Sequence, residues 1–599
     1  MFALSADPCT HGHSSVLREA IRRQNGRVLF GIANDPKKNY AFAQWERLRL
    51  AQASLPDTGW RDVRLVSGSL ARWMVRNGIR TLYRGQRNAI DQAAEDTLKF
   101  YYRQEFPGID IQRIQAEPGS PYSEISSSGV KECLKVGHDI SPFVSSRVKQ
   151  ALESRIVGQY PVCVTGEMGA GKSAFSCEVV RYARQIGISA TYVDFDSIAD
   201  DIYSSLADPY YADVRKNLRE AFGDDIFDEN GWIRIPELSR MFREDPARRP
   251  VLDSIMRDPM IFRYRDMIQG KKGLILVDGA LLAESGLTHL GNHHIVLMGA
   301  PQETRVERVI ARYAARGRNM TRDGVLAMFA AQKDYAGKCA LIQDQIRSEK
   351  NGSLLERDNS QSLPSPELSL RQILRSVDVF GEIRAGLVLR NLGMSEVDAA
   401  VTVQELKKKH EEPHRFYHTW EHVVEMLDRL FECQISGGLF DHPFGVLGTA
   451  ILFHDSVYEV DPTYYRDNET RSASYAESIL LSRGVQRAAV KQIYGAIQST
   501  AHSSDRANDF RDPVADILHD FDLAILAAVL ERYARYVSDL MEEFGVYSGE
   551  VFRKKRIEFL EGLLAKGDAL YRTEYGRAAF LVAARRNVSE ELLQLKVLG

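Results

Sequence analysis

Apolar positions fall into two regimes along this chain. Over roughly the first 355 residues, short apolar runs at 2–5, 28–33, 63–66, 81–83, 160–165, 191–193, 273–277 and 294–298 alternate with stretches of helical periodicity such as 14–24 and 173–186. Apolar runs separated by helices predict parallel strands with crossover helices, and functional groups in such sheets gather at the carboxyl ends of the strands. From about 370 onward the pattern is helical throughout: Val423, Met426, Leu427, Leu430 and Phe431 form one stripe, and 446–453 is apolar enough for a buried helix. Between the regimes, 357–367 reads R-D-N-S-Q-S-L-P-S-P-E, polar and twice interrupted by proline, which predicts a flexible joint. The expected organisation is multidomain: one α/β domain over 1–155, a second over 156–355, a linker over 356–369 and an all-α domain over 370–599.

Composition narrows the class. The 599 residues are 44% apolar and 27% charged with a net charge of −3, an ordinary globular balance without a single-sign run, so no nucleic-acid partner is expected. Six cysteines are scattered with no C-x-x-C pair, the usage of a reducing compartment. No leader pattern and no apolar run of membrane-spanning length is seen, so a cytoplasmic protein with no membrane partner is expected. The pattern leaves the oligomeric state unknown.

Gly166-Glu167-Met168-Gly169-Ala170-Gly171-Lys172-Ser173 follows a short apolar run and opens a helical stretch. This spacing is that of a phosphate-binding loop: glycines let backbone N–H groups curl around phosphate oxygens, the lysine adds a point charge, and the serine hydroxyl is placed for Mg²⁺. ATP with Mg²⁺ is therefore expected. Asp196, just past a strand end, can accept a hydroxyl proton or hold Mg²⁺ through water, and Arg305, Arg308 and Arg312 share one helix face as a phosphate-neutralising lid. With Phe222-Gly223, Asp258-Pro259, Leu281-Leu282, Gln332, Lys338 and Asn351-Gly352-Ser353, these residues resemble dephospho-CoA kinase, an α/β P-loop kinase domain. The resemblance implies 3′-phosphorylation of dephospho-CoA, with Asp196 as base, Lys172 and Ser173 on phosphate and Mg²⁺, and Arg308 and Arg312 in the lid. Ile235, Asp258, Asp200 and Ala280 depart from the family pattern, and most of these are acceptor-side positions.

In the first domain, Thr10-His11-Gly12-His13 places a histidine at a helix start, where triphosphate charge is favoured. With Ser5-Ala6-Asp7-Pro8-Cys9, Asn34-Asp35-Pro36-Lys37-Lys38, Glu46-Arg47, Arg84-Gly85-Gln86-Arg87, Asp91, Glu95 and Ser126-Ser127-Ser128, this region resembles phosphopantetheine adenylyltransferase, an α/β nucleotidyltransferase (Rossmann-like) domain. The resemblance implies ATP and 4′-phosphopantetheine as substrates. His13 and Lys38 would stabilise the transition state, Arg84 and the three serines would hold ATP phosphates, and Thr10 would place the acceptor phosphate. Ser5 is a further expected substrate contact, and Lys37 could replace Lys38. Gln86, Lys131 and the Leu4-Ser5-Ala6 start differ from the family pattern. The product implied by the first resemblance is the substrate implied by the second, as in a bifunctional CoA synthase.

The helical region carries His418 and His422 one turn apart, His454-Asp455 at the end of the apolar run, His502, and Asp520-Phe521-Asp522. A buried adjacent His and Asp need a partner or a metal. The order His … His-Asp … Asp resembles the HD superfamily of metal-dependent phosphohydrolases, an all-α HD domain. It implies His422, His454, Asp455 and Asp522 as metal ligands, with His418 and Asp520 the alternatives, and a divalent ion among Mn, Fe, Mg and Zn. The whole then reads as the last two steps of coenzyme A synthesis fused to a phosphohydrolase. The alternatives are the same folds acting on other nucleotides in salvage or defence, or a nucleotide sensor controlling the HD domain.

Overall fold

A computed structural model describes residues 1–599 apart from 25–27, 36–37, 56–62, 67, 86–99, 101, 115–124, 316, 331, 436–443, 461–466, 502–511, 548 and 598–599. The chain forms two compact units, Met1–Val377 and Asp378–Gly599.

The first unit holds two five-stranded sheets. Strands β1 (Phe2–Leu4), β2 (Phe30–Ile32), β3 (Val63–Leu65), β4 (Thr81–Gly85) and β5 (Asp110–Ile114) lie in the order β3-β2-β1-β4-β5, all parallel. The order reverses at β1, so its carboxyl end, running into Ser5–Thr10, opens at the crevice of the sheet. Phe2, Phe30, Ile32 and Tyr83 pack on one face with Cys9 and Leu17. The helix His11–Gln24 starts three residues earlier than its periodicity suggests, because His11 and Gly12 already belong to its first turn. β5 is an edge strand of alternating exposed and half-buried positions, which is why an apolar-run search misses it.

The second sheet is built from β6 (Gln159–Gly166), β7 (Ala190–Asp194), β8 (Gly273–Asp278), β9 (His294–Gly299) and β10 (Ser353–Asp358) in the order β10-β9-β6-β8-β7, again all parallel. All eight residues of β6 are buried, which explains its continuous apolar run. The sequence pattern assigns only the first half of β10, Ser353–Leu355, to the second α/β domain and its end, Glu356–Asp358, to the linker. The strand's half-exposed edge position lets it carry Glu356, Arg357 and Asp358. The irregular stretch after it is short: the helix Pro366–Val377 packs on the helix Lys172–Gln185, and Arg357 Nε donates to Ser369 Oγ at 3.1 Å. The segment 356–369 therefore belongs to the second sheet's domain rather than forming a loose tether.

The unit Asp378–Gly599 contains only helices among its described residues. Helix Phe444–Phe453 is buried from Gly445 to Phe453 and meets the buried stripe Val423, Met426, Leu427, Leu430 and Phe431 of helix Trp420–Ile435.

Candidate functional site

Three clusters collect the candidate residues. At the carboxyl end of β1, the backbone N–H of Thr10 donates to His13 Nδ1 at 3.0 Å, with the Thr10 hydroxyl also 3.0 Å from that nitrogen. A backbone N–H can only donate, so Nδ1 is an acceptor and the neutral ring carries its proton on Nε2. His13 thus offers an N–H donor at the start of its helix. Lys38 Nζ donates to Ser5 Oγ at 3.1 Å. Asp7 is buried, accepts the N–H groups of Ala41 and Phe42 at 3.0 Å each, and pairs with Lys131 at 2.8 Å. Arg84, at the end of β4, donates to the Ala3 carbonyl at 3.0 Å. Ser126 caps the helix Ser127–Lys135 by accepting from Gly129 N–H at 3.0 Å, Ser127 Oγ donates to the Pro8 carbonyl at 2.8 Å, and Ser128 is exposed. The buried Arg47 donates to the Ser5 carbonyl at 2.5 Å and also binds Asn34. Lys37, Gln86, Arg87, Asp91 and Glu95 lie outside the described residues.

The second cluster is the loop after β6. Gly166, Gly169 and Gly171 have φ of +146°, +82° and +92°. At each a side chain would be strained, and a Cβ on Gly169 would stand 2.7 Å from the Arg305 carbonyl oxygen. Ala170 is buried in the loop, and Met168 packs against Val306 and Val309 of the helix Gln302–Ala315. Lys172 is buried and donates to the Glu167 carbonyl at 3.3 Å; burial lowers its pKa, against the pull of Asp278 and Asp196. Ser173 Oγ donates to Asp278 Oδ2 at 2.6 Å, while Asp278 Oδ1 is buried with no partner. Burial raises the Asp278 carboxyl to about 6. Asp196 is also raised by burial and accepts Ala280 N–H at 3.4 Å. Lys338, fully buried, binds Glu284 and the Ala280 carbonyl at 2.8 Å.

The three helix arginines do not act alike. Arg305 is buried and pairs with Glu167 at 3.0 Å, so it props the loop and is not part of a movable lid. Arg308 reaches the Gly169 carbonyl at 3.5 Å and the Asn359 carbonyl at 3.1 Å. Arg312 is exposed, close enough for its charge to act on Lys172 and Asp196. Two residues escaped the sequence reading. Asp278 was legible only as an acid ending an apolar run. Asn359 sat inside the supposed linker, yet it is buried and its Nδ2 donates to the Ala170 carbonyl at 2.8 Å.

The third cluster lies in the helical unit. His422 Nε2 stands 3.2 Å from His454 Nε2 and 3.1 Å from Asp522 Oδ1, and His454 Nε2 stands 3.1 Å from Asp455 Oδ2. His422, His454 and Asp522 form a group able to hold a metal ion. His454 Nδ1 lies 2.8 Å from the Ile451 carbonyl, an acceptor, so that nitrogen carries a proton and Nε2 faces the cluster. Despite burial, Asp455 and Asp522 lift His454 to about 9, and the histidines hold both carboxylates below their usual range. Of the alternatives, His418 is engaged by Glu543 at 2.5 Å and stacks on Tyr458. Asp520 accepts from Arg572 N–H, Thr573 N–H and Thr573 Oγ1 at 2.6–2.8 Å, ahead of the helix Glu574–Val597. Asp522 is the one that faces the histidines. His502 lies outside the described residues.

Two parallel five-stranded sheets with their candidate residues at the carboxyl ends fit a class of protein: a Rossmann-like domain followed by a P-loop kinase-type domain. Over 150 residues, 25% of this chain, the sequence is 33% identical to the phosphopantetheine adenylyltransferase of Thioalkalivibrio sulfidiphilus and covers 92% of it. The enzyme of the same name from Thiobacillus denitrificans is 31% identical over 150 residues, with 92% of it covered, and that from Petrotoga mobilis 29% over 153 residues, with 93% covered. Residues 160–353 match the family model of dephospho-CoA kinase. Through its N-terminal part the chain belongs to the phosphopantetheine adenylyltransferase family, and the kinase match behind it supports a CoA-synthase-like fusion. Among the described residues no helix is long and apolar enough to cross a membrane.

Proposed function

We propose that the chain carries out two consecutive ATP-dependent steps of coenzyme A synthesis, and that its helical unit is an HD-type metal-dependent phosphohydrolase. In the first step a phosphate oxygen of 4′-phosphopantetheine attacks the α-phosphorus of ATP. The bond to the β-phosphate breaks, and dephospho-CoA and pyrophosphate result. The observation that carries this step is the Thr10 N–H bond to His13 Nδ1, which supports an Nε2–H donor aimed at the charge developing on the transferred phosphoryl group. Lys38 adds a cation beside Ser5, Thr10 places the acceptor phosphate, and Arg84 with Ser126, Ser127 and Ser128 handles the triphosphate.

In the second step the ribose 3′-hydroxyl of dephospho-CoA takes the γ-phosphoryl group of a second ATP. Asp196 takes the hydroxyl proton, and burial, by raising its pKa, makes its carboxylate a stronger base. Gly166 to Gly171 and Lys172 bind the phosphates, and Arg308 and Arg312 neutralise the group in transit. The orphaned Asp278 Oδ1 beside Ser173 fits a Mg²⁺ ion, which Ser173 and Asp278 would hold and which would offset phosphate charge.

In the helical unit, the imidazoles of His422 and His454 and the Asp522 carboxylate converge, Asp455 lies 3.1 Å from His454 Nε2, and the Ile451 carbonyl fixes the His454 ring from behind, a donor set that fits a divalent ion. His422, His454, Asp455 and Asp522 would hold it, and it would supply Lewis acidity toward a phosphoester.

Mass analysis of products from the full chain with ATP, Mg²⁺ and 4′-phosphopantetheine tests the two transfer steps. His13→Ala is expected to leave the starting compound, and Lys172→Ala to stop at dephospho-CoA; any other order breaks the assignment. Phosphate release from a panel of phosphoesters, compared between the full chain and its Asp455→Asn variant with Mn²⁺ present, tests the third. Equal release by both would discard the hydrolase reading.

A further inference from the structure

The candidate adenylyl-transfer residues do not stand alone. Asp7, between the Ser5–Lys38 contact and the Thr10–His13 contact, is held by the N–H groups of Ala41 and Phe42. The position of the stretch 41–43 thus sets where Asp7 and its partner Lys131 sit. That stretch is clamped from outside the sheet by one side chain, Arg155. Its Nη1 donates to the Ala41 carbonyl at 3.0 Å and its Nη2 pairs with Glu46 at 2.7 Å, while its guanidinium lies over the Phe42 ring at 5.4 Å. Glu46 is fully buried and spends its other oxygen on Ala43 N–H at 2.8 Å. A buried carboxylate left without its cation is strongly disfavoured.

Arg155 belongs to a π-helical turn, Glu153–Val157, a geometry rare enough to mark a constrained segment. Two residues earlier, Glu153 is buried and bound to Arg265 at 3.0 Å and Asn292 at 2.7 Å, both around the second sheet, and to Lys149 at 3.1 Å, whose ammonium also reaches Asn292 at 2.8 Å. Directly after the turn begins β6, which ends in the phosphate loop. One face of the turn is therefore fixed to the kinase sheet, and the other carries the clamp on 41–43.

We propose that Arg155 is a positioning residue for adenylyl transfer, holding the 41–43 stretch and through it Asp7, from a turn that is anchored in the second sheet. The inference rests on the adenylyl-transfer reading above. It implies that the first activity depends on the segment that builds the second.

The test uses the full chain. Pyrophosphate release from ATP and 4′-phosphopantetheine is measured for the wild type, Arg155→Ala and Arg155→Lys, beside ADP release with dephospho-CoA supplied directly. Arg155→Ala is expected to lower kcat of pyrophosphate release about tenfold or more, since small misplacements at a reacting centre are costly. KM values should stay within about threefold, and ADP release should change little, because Glu153 still anchors the turn. Arg155→Lys can reach Glu46 but not Glu46 and Ala41 together, so it should restore part of kcat. The lysine variant also provides the readout if the alanine variant does not fold. Unchanged pyrophosphate release in Arg155→Ala, or an equal fall in both activities with no gain from lysine, overturns the proposal. A wild type that releases no pyrophosphate overturns the adenylyl-transfer reading itself, a result distinct from either.

Discussion

Replacing Asn359 by alanine isolates one hydrogen bond to the phosphate loop. The side chain is buried, and its amide donates to the Ala170 carbonyl at 2.8 Å. The backbone carbonyl of Asn359 receives Arg308, and its N–H reaches the Gly299 carbonyl; alanine keeps both. What is lost is the amide donor, and the Ala170 carbonyl is left in a buried place without that partner. An unsatisfied buried acceptor costs about 1–3 kcal/mol. If the loop relaxes away from its nucleotide-binding shape to recover that energy, the cost falls on ATP use. The expected effect is roughly a tenfold loss in kcat/KM for ATP, corresponding to about 1.4 kcal/mol. Asn359→Asp goes further, because a carboxylate cannot donate to a carbonyl and adds negative charge where phosphates are expected. The assay is ADP release with dephospho-CoA as acceptor, run beside pyrophosphate release with 4′-phosphopantetheine. The reasoning requires the order wild type, alanine, aspartate in the first assay and little change in the second. Wild-type ADP release by both variants, or an equal fall in both assays, would refute it.

Further outcomes follow from the same geometry. The Asp278 carboxyl is raised from its ordinary 3.8 to about 6, so its ionisation weakens the ligand-free fold as pH rises through that window; by linkage this amounts to roughly 3 kcal/mol. Asp278→Asn should therefore raise the melting temperature at pH 7 while abolishing ADP release, and wild-type ADP release should fall as pH drops below about 6. Gly169→Ala, forced into positive φ against the Arg305 carbonyl, should lower stability by about 2 kcal/mol or more, read by urea denaturation. Mn²⁺ at a hundredfold over its dissociation constant should stabilise the full chain's metal-linked transition by about 2.7 kcal/mol in calorimetry, and His454→Ala should erase that gain. Asp520→Ala should destabilise the helical unit by about 1–3 kcal/mol yet leave the Mn²⁺ shift intact, separating it from Asp522→Ala.

Local chemistry made much of this protein readable from its sequence. Central strands buried on both faces, β6 above all, must be apolar from end to end, so they announce themselves. The phosphate loop did so too, because three positive-φ positions admit little but glycine and the lysine and serine follow at fixed spacing. Two of the four edge strands, β5 and β10, gave no such signal. Both are paired on one side only and keep charged residues, so the charged end of β10, Glu356–Asp358, merges into an apparent linker and takes Asn359 with it.

What only the tertiary structure decided is how groups distant in sequence divide their roles. Arg305, Arg308 and Arg312 are equivalent by periodicity, but Arg305 is drawn inward by Glu167 while Arg312 stays in solvent. His418 and His422 share a helical spacing, yet Glu543 takes the first and leaves the second to face His454. Asp520 and Asp522 differ by two positions, and Arg572 and Thr573, just ahead of the helix beginning at Glu574, take up Asp520. Spacing along a chain fixes which residues can act together locally; the partner that satisfies a buried charge arrives from another element, and packing alone brings it there.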